Sequence, residues 1–148
     1  MKRLILFMTL FLALSILFPN PISAKGSDVT TDSRELMVHD ALMLFLLDPL
    51  DKAIGNYYSK MLLEIPTVYP YDIKMIDTKR VAGFRSFHFT FTLEVEPVIG
   101  PHISVGKDRL TFEISPLLPE QVKLTKYKHL KTYELPLNWK HLVKPYRD

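Results

Sequence analysis

The stretch that decides the fold is SFHFTFTLEVE, residues 86–96. Apolar side chains occupy every second position, and polar side chains occupy the positions between them. Because successive side chains of a β-strand point to opposite faces, this alternation predicts a strand with one face on a core and one in water. The predicted core face consists of Phe87, Phe89, Phe91, Leu93 and Val95.

The same alternation returns at residues 110–114, which predicts a second strand paired with the first in an antiparallel hairpin. If Glu96 lies opposite Arg109, all apolar pairs fall on the core side and all polar pairs on the wet side. This register predicts an ion pair between Glu96 and Arg109. It leaves residues 97–108 as the connection, which exceeds the usual hairpin loop of about two to five residues.

The connection contains Gly100, Gly106 and Lys107, an arrangement that invites comparison with the phosphate-binding motif G-x-x-x-x-G-K-[ST]. Here five residues separate the glycines, Asp108 follows the lysine, and a strand follows instead of a helix. The phosphate-loop interpretation is therefore rejected. A structural loop and a ligand-binding loop both remain open. The candidate ligand residues of the loop are Gly100, Pro101, His102, Gly106, Lys107, Asp108 and Arg109.

The residues before the sheet predict two helical segments, 33–47 and 49–62, from the spacing of their apolar side chains. We place a kink at Pro49, because proline has no backbone N–H to continue a helix but suits the first turn of a new one. Asp32 is the predicted cap of the first helix, with Glu35 completing a capping box.

Two further strands are predicted at residues 71–80 and 121–128, with a slip near Lys126 that brings Tyr127 to the core side and suggests a bulge. The apolar helices have one available partner, which is the phenylalanine face of the sheet. We therefore predict an α+β domain in which a kinked N-terminal helix pair packs on a curved antiparallel meander of about four strands. Trp139 and Leu142 are expected to dock on this domain.

The N-terminus has the pattern of a secretory signal peptide: Lys2 and Arg3, an uncharged apolar run, and Ala24 at a predicted cleavage site. An uncleaved anchor is the alternative, although the run is short for a spanning helix of about 20 residues. After cleavage we expect no stable transmembrane span. The predicted organisation is a signal peptide at 1–24, a flexible linker at 25–32, a single α+β domain at 33–133 and a basic C-terminal tail at 134–148.

Composition excludes several classes of function. Loss of residues 1–24 would remove two of the 19 Lys and Arg residues and none of the 16 Asp and Glu residues, so the net charge would fall from +3 to +1. Global charge therefore gives no argument for nucleic-acid binding. The absence of cysteine excludes thiolate metal sites and cysteine nucleophiles, and in an exported chain it fits a Gram-positive bacterium. The five histidines show no ligand spacing, so neither a metal nor a cofactor is predicted.

Three pieces carry a family resemblance: DPLDKAIGNYY (48–58), YPYDIKMID (69–77) and VEPVIGPHISVGKDRLTF (95–112). Together they resemble a domain-of-unknown-function family, number 3888, of short exported proteins from Bacillus-type bacteria. The resemblance covers residues 38–132. It implies secretion, a bacterial source and one compact domain, and it carries over no catalytic residue.

We therefore predict an exported, non-enzymatic binding or interaction domain, secreted or loosely held at the cell surface. Its ligand is expected against residues 97–108 or the open sheet face, and the candidate partners are an anionic cell-wall polymer and another exported protein. The alternatives are a small hydrolase or isomerase with a pocket between helices and sheet, and an inhibitor of an exported enzyme. The candidate surface-binding residues, which alternatively protect an edge strand, are Lys123, Lys126, Lys128 and Lys131.

Overall fold

The computed structural model describes residues 32–145. The predicted signal peptide, and the predicted linker up to residue 31, lie outside the described residues. Within residues 32–145, no helix combines the length and the apolarity needed to cross a membrane.

One long helix precedes a four-stranded antiparallel sheet. The helix, α1, is Arg34–Tyr58, and the strands are β1 (Lys74–Val81), β2 (His88–Val95), β3 (Val98–Ile99), β4 (Ile103–Ser104), β5 (Gly106–Ile114) and β6 (Val122–Thr132). Short 3₁₀ helices lie at Pro70–Asp72 and Leu137–Leu142. The sheet order is β1-β2-β5-β6, and β3 and β4 form a separate two-stranded ribbon. The predicted α+β class and the four-stranded antiparallel meander are therefore confirmed.

The predicted kinked helix pair is wrong, because α1 runs through Pro49 as a single helix. A proline in a helix interior costs about 3 kcal/mol. Burial of one large apolar side chain contributes about 1.5–3 kcal/mol, so a continuous buried stripe on both sides of Pro49 outweighs that cost. The fully buried residues of this stripe are Met43, Leu46, Leu50 and Ile54.

The cap of α1 also differs from the prediction by one residue. Ser33, and not Asp32, is the N-cap, and its hydroxyl oxygen accepts a hydrogen bond from the backbone N–H of Leu36 at 3.1 Å. Either side chain suits an N-cap, so the choice between neighbours is not visible in the sequence. At its other end the helix finishes at Tyr58, a buried residue.

β2 and β5 pair as predicted in direction, but two residues away from the predicted register. Glu94, and not Glu96, lies opposite Arg109, and the ion pair expected for Glu96 is formed by Glu94. A shift of two residues leaves every side chain on its predicted face, because strand side chains alternate with a period of two. The apolar pattern therefore identifies the faces correctly while leaving the partners undetermined.

Residues 97–108 are more ordered than a single long loop. β3 and β4 pair within them, and Val98 also bridges to Thr67 on the segment that follows the helix. β5 begins at Gly106, so Gly106, Lys107 and Asp108 belong to the sheet and not to the connection.

The core lies between α1 and one face of the sheet. Phe91, Leu93 and Val95 of β2 are buried there, whereas Phe87, predicted on the same face, precedes the strand and is exposed. Leu135 is buried in this core. Trp139 and Leu142 pack against the core, so the predicted docking of these two residues is confirmed.

β6 contains two bulges relative to β5. One leaves Thr125 unpaired opposite Thr111 and Phe112, which confirms the slip predicted near Lys126. The other leaves Leu130 unpaired and was not predicted. The bulge at Leu130 shifts the alternation of side chains along β6, which brings His129 and Thr132 to one face.

Candidate functional site

Among residues 32–145, one carboxylate is buried in the core of the sheet. Asp108 of β5 has an exposed fraction of 0% and lies opposite Val95. It shares a face with Leu110 and Phe112, since residues two apart on a strand point the same way. Burial of a charged group costs a great deal of free energy unless hydrogen bonds compensate for it. Asp108 therefore needs hydrogen-bond partners within the fold.

Two side chains from different elements satisfy the carboxylate. The Tyr58 hydroxyl, at the end of α1, donates to Oδ2 of Asp108 at 2.7 Å. On β6, Nδ1 of His129 lies 2.7 Å from Oδ1 of Asp108. Each carboxylate oxygen thus has one short hydrogen bond, and the interaction joins the helix to two strands.

The hydrogen-bond chain continues to the surface through Thr132. The other ring nitrogen of His129, Nε2, lies 2.8 Å from the hydroxyl oxygen of Thr132. In the tautomer whose Nδ1–H donates to the Asp108 carboxylate, Nε2 is the acceptor and the Thr132 hydroxyl donates to it. The sequence of groups is Tyr58, Asp108, His129, Thr132, from a buried hydroxyl to an exposed one.

The bulge at Leu130 places His129 and Thr132 on the same face of β6. In a regular strand, residues three apart point to opposite faces. The unpaired Leu130 offsets the alternation by one residue, so that His129 pairs with Asp108 and Thr132 pairs with Gly106. Bulges commonly re-aim a side chain in this way beside functional sites.

Gly106 allows the groups of this site to approach one another. A Cβ atom at this position would lie 2.4 Å from the Tyr58 hydroxyl, 2.6 Å from the carbonyl oxygen of Lys131 and 3.1 Å from Cε1 of His129. Its φ is not positive, so the requirement for glycine is one of space. Of the predicted loop residues, Gly106 and Asp108 are the two that the structure brings into this site.

Aromatic rings surround the polar chain. Tyr57 stacks on His129 with ring centroids 5.0 Å apart, and on Tyr127 with centroids 4.9 Å apart. Burial, followed by the hydrogen bond to Asp108, raises the pKa of Tyr58 above its ordinary value. Burial, followed by the charge of Asp108, likewise raises the pKa of Tyr127. Both hydroxyls therefore remain protonated at neutral pH.

A cavity of about 1060 Å³ adjoins the outer end of the chain, where Tyr58 and Thr132 are among its lining residues. Most of its wall is apolar, and Lys60, Lys140, Lys144 and Glu134 supply charge. Lys140 pairs with Glu134 at 2.5 Å. The apolar lining residues are Met61, Leu62, Leu63, Val105, Leu135 and Val143.

Lys107 and Arg109, also predicted as ligand residues, lie away from this site. Both contact Glu94, with Nζ of Lys107 3.1 Å from one carboxylate oxygen and Nε of Arg109 3.0 Å from the other. The hydrogen bond from Arg109 holds the pKa of Glu94 below its ordinary value, with Lys107 adding to the effect. This cluster is an ion-pair network on the polar face of the sheet.

Gly100, Pro101 and His102 form the turn between β3 and β4. Gly100 has a φ of +47° and packs under Trp139, whose ring would lie 2.3 Å from an added Cβ. The His102 ring stacks on Tyr69, with centroids 4.7 Å apart. The four predicted surface lysines, Lys123, Lys126, Lys128 and Lys131, are all exposed on β6, an edge strand.

Tyr58, His129 and Thr132 were not among the predicted site residues. Within residues 32–145, no group of three or more acidic or histidine side chains is arranged to hold a metal ion. The site is thus a hydrogen-bonded chain of oxygen and nitrogen groups that ends in an exposed hydroxyl.

Comparisons with known proteins place the chain in one family. A family model described as "Protein of unknown function (DUF3888)" matches residues 38–131. No curated protein and no solved structure matches the chain. The matched region is more than half of the 148 residues and contains Tyr58, Asp108 and His129, while Thr132 follows its end by one residue. The chain therefore belongs to the DUF3888 family, as its sequence motifs predict.

Proposed function

We propose that this domain binds a small acyl compound, with a hydrocarbon body and a carboxyl-derived head group, in the cavity beside Thr132. The observation that carries the proposal is the cavity itself, which has a volume of about 1060 Å³ and is lined largely by apolar side chains. Ligand sites in proteins are typically apolar concavities with a few polar groups that orient the ligand.

The polar groups of the cavity favour a head group that accepts hydrogen bonds and carries negative or partial negative charge. Thr132 provides a hydroxyl, and among the described residues that line the cavity three lysines outnumber the one carboxylate, Glu134. Lys144 is engaged by the carbonyl oxygen of Ser59 and Lys140 by Glu134. Lys60 is exposed and has no ion pair within the part of the chain that the structure describes, so it is available to a ligand.

A binding experiment tests this proposal. We expect the purified protein to bind medium-chain carboxylates such as octanoate and decanoate, with affinity that rises with chain length, as measured by isothermal titration calorimetry. Each buried methylene contributes about 0.8 kcal/mol, so two more methylenes should strengthen binding by about tenfold. Affinity that is absent or independent of chain length would contradict the proposal.

Two exposed residues of one segment provide a matched pair of variants. Leu63 lines the cavity and Ile65 does not, yet their exposed fractions are 63% and 60%. Leu63→Asp should weaken decanoate binding by about tenfold or more, because it places a carboxylate in the apolar wall. Ile65→Asp should leave the affinity unchanged.

A second candidate function concerns the lysine row of β6. We propose that the chain is exported and that Lys123, Lys126, Lys128 and Lys131 attract an anionic cell-wall polymer. The pattern of residues 1–24 supports export. The exposure of four lysines on one edge strand supports attraction to an anionic surface.

Retention on isolated cell walls tests the polymer proposal. We expect the protein to bind at low salt and to elute as salt rises, because exposed charges are screened. Replacing Lys126 and Lys128 with glutamine should reduce retention, whereas the same change at the exposed Lys52 and Lys74 should not. Equal loss in both variants would show that only net charge matters.

A further inference from the structure

We infer that Thr132, His129 and Asp108 form a nucleophile, a general base and a positioning group, and that the site hydrolyses carboxylic esters whose acyl chain occupies the cavity. This inference rests on the proposed acyl-binding function and extends it from a ligand to a reaction.

The distances and the order of the groups carry the inference. Nucleophilic hydroxyls in enzymes lie within hydrogen-bond reach of a base that a third group orients. Here the Thr132 hydroxyl is 2.8 Å from Nε2 of His129, and Nδ1 of that ring is 2.7 Å from Asp108. The carboxylate binds the ring nitrogen remote from the hydroxyl, so it holds the tautomer in which Nε2 can accept a proton.

The surroundings of the chain fit its use in a reaction. The base and its carboxylate are shielded, whereas Thr132 is exposed and is one of the residues that line the cavity. The hydrogen bond from Tyr58 leaves Asp108 little freedom to turn away from His129. The bulge at Leu130 and the absence of a side chain at Gly106 are both needed for this arrangement.

The first half of the reaction transfers the acyl group to the protein. The Thr132 oxygen attacks the ester carbonyl carbon while its proton passes to Nε2 of His129. The tetrahedral intermediate then breaks its bond to the leaving alkoxy oxygen, which takes the proton from His129 and departs as an alcohol. The product of this half is an acyl ester of Thr132.

The second half restores the hydroxyl. Water gives a proton to Nε2 of His129 and attacks the acyl carbon, and the Thr132 oxygen leaves with that proton. A carboxylic acid is released, and no oxidant, reductant or cofactor is required. Lys60 lines the same cavity and has no ion pair among the described residues, so its ammonium group favours the negative charge that develops on the carbonyl oxygen.

The substrate class follows from the apolar wall of the cavity. We expect p-nitrophenyl esters of medium-chain acids to be hydrolysed faster than p-nitrophenyl acetate, because the longer acyl chain buries more surface. Thr132→Val removes the hydroxyl at nearly constant shape and should reduce kcat/KM by about 100-fold or more. Thr132→Ser retains a hydroxyl and should preserve activity.

Thr125 provides a matched control. It lies on the same strand, and its hydroxyl donates to the carbonyl oxygen of Thr111 instead of to a histidine. Thr125→Val should hydrolyse esters at the wild-type rate. A fluorophosphonate probe should label the wild-type protein on the peptide that contains Thr132, as identified by mass spectrometry, and should not label the Thr132→Val variant.

The outcomes separate the two proposals. A Thr132→Val variant that is folded, binds decanoate and loses hydrolysis and labelling supports both. If the wild-type protein binds decanoate but neither hydrolyses the esters nor reacts with the probe, the hydrolytic inference is overturned and the binding proposal stands. Equal hydrolysis by wild type and Thr132→Val, or labelling elsewhere, also overturns the inference. Failure to bind decanoate at all contradicts the proposed function itself.

Discussion

Asp108 and His129 are direct register partners on β5 and β6, and their side chains meet at 2.7 Å on the core side of the sheet. Cross-strand partners are held at a nearly constant separation by the backbone ladder. The position of the imidazole therefore depends on the sheet itself and not on a mobile loop. Sites supported in this way by rigid elements are the ones whose geometry is most closely maintained.

Replacing Asp108 tests whether it orients His129. Asp108→Asn retains the shape but can present an N–H to Nδ1, which favours the opposite tautomer of the ring. We expect the ¹⁵N chemical shifts of His129 to exchange between the two ring nitrogens. We also expect the free energy of unfolding to fall by about 1–3 kcal/mol.

Asp51→Asn is the control for that experiment. The Asp51 carboxylate accepts one hydrogen bond, from the backbone N–H of Val68 at 3.3 Å, and an amide oxygen can accept the same bond. It should leave the His129 spectrum unchanged and cost less stability. Unchanged His129 shifts in Asp108→Asn would show that the carboxylate does not set the tautomer.

Gly106→Ala tests the close approach of the site residues. The new Cβ would lie within 2.4 Å of the Tyr58 hydroxyl and 2.6 Å of a backbone oxygen, so the strand or the tyrosine must move. We expect a loss of about 1–3 kcal/mol in the free energy of unfolding, measured by chemical denaturation.

Gly55→Ala provides the comparison. Its added Cβ would meet only the side-chain Cγ2 of Ile65, at 3.3 Å, and alanine has the higher helix propensity. The expected change is within about 1 kcal/mol of zero. If Gly106→Ala were as well tolerated as Gly55→Ala, the packing around Tyr58 would be looser than described.

Tyrosine ionisation should reveal the buried hydroxyls in alkaline solution. The pKa of Tyr58 is raised in the folded state from an unfolded value near 10.0. Below that value both states are protonated, and above it only the unfolded chain releases the proton, so stability falls as the pH rises beyond 10. Titration of tyrosinate absorbance should show Tyr58 and Tyr127 ionising only on unfolding.

Tyr58→Phe tests the assignment of one of these groups. It should reduce by one the number of tyrosines that ionise only on unfolding. The remaining resistant signal belongs to Tyr127, whose pKa is also raised. A native protein in which all tyrosines titrate before any structural change would be incompatible with the buried hydrogen bond to Asp108.

Acid should destabilise the protein through Glu94, which lies on the polar face of the sheet. Its pKa is lowered in the folded state from an ordinary value of 4.5, chiefly by the hydrogen bond from Arg109. This contribution is complete above the unfolded value and is lost as the pH falls through the lower folded value. We expect Glu94→Gln to lose less stability than wild type between about pH 7 and pH 3, measured by chemical denaturation. Equal losses of stability in Glu94→Gln and wild type would show that Glu94 does not contribute to the acid sensitivity.

The strand alternation contained more information on the site than the loop did. Leu110 and Phe112 predict a core face that also includes Asp108, and the slip that turns Tyr127 inward does the same for His129. An acid and a histidine on the core side of paired strands need partners, which is a signal for a buried polar interaction. Asp108 was predicted for its place in a long loop, whereas its burial in the sheet is what distinguishes it.

Other parts of the site have no counterpart in the sequence pattern. The β2–β5 register differs from the prediction by two residues, which the period of two cannot detect, so the end of the connection was placed beyond Asp108. The sequence around Leu130 has no regular apolar alternation, so the bulge there leaves no visible break in the pattern. Without that bulge, Thr132 would face away from His129, and so this contact depends on the backbone geometry of β6.

In α1 the cost of a proline inside a helix competes with the burial of apolar side chains on both sides of it, and local sequence rules do not predict which prevails. Pro49→Ala measures the cost of the proline. Because α1 is continuous, alanine would restore a donor and remove the proline ring from the helix interior. We expect the free energy of unfolding to increase by up to about 3 kcal/mol, measured by chemical denaturation.

If the helix were divided at Pro49, Pro49→Ala would not increase the free energy of unfolding, because proline is well suited to the first turn of a helix. Asp48→Ala distinguishes the two arrangements further. As the cap of a second helix, Asp48 would contribute about 0.5–2 kcal/mol. In the continuous helix it is an exposed residue within α1, so its replacement by alanine should be nearly neutral or slightly stabilising. Loss of stability in both Pro49→Ala and Asp48→Ala would therefore contradict the continuous helix.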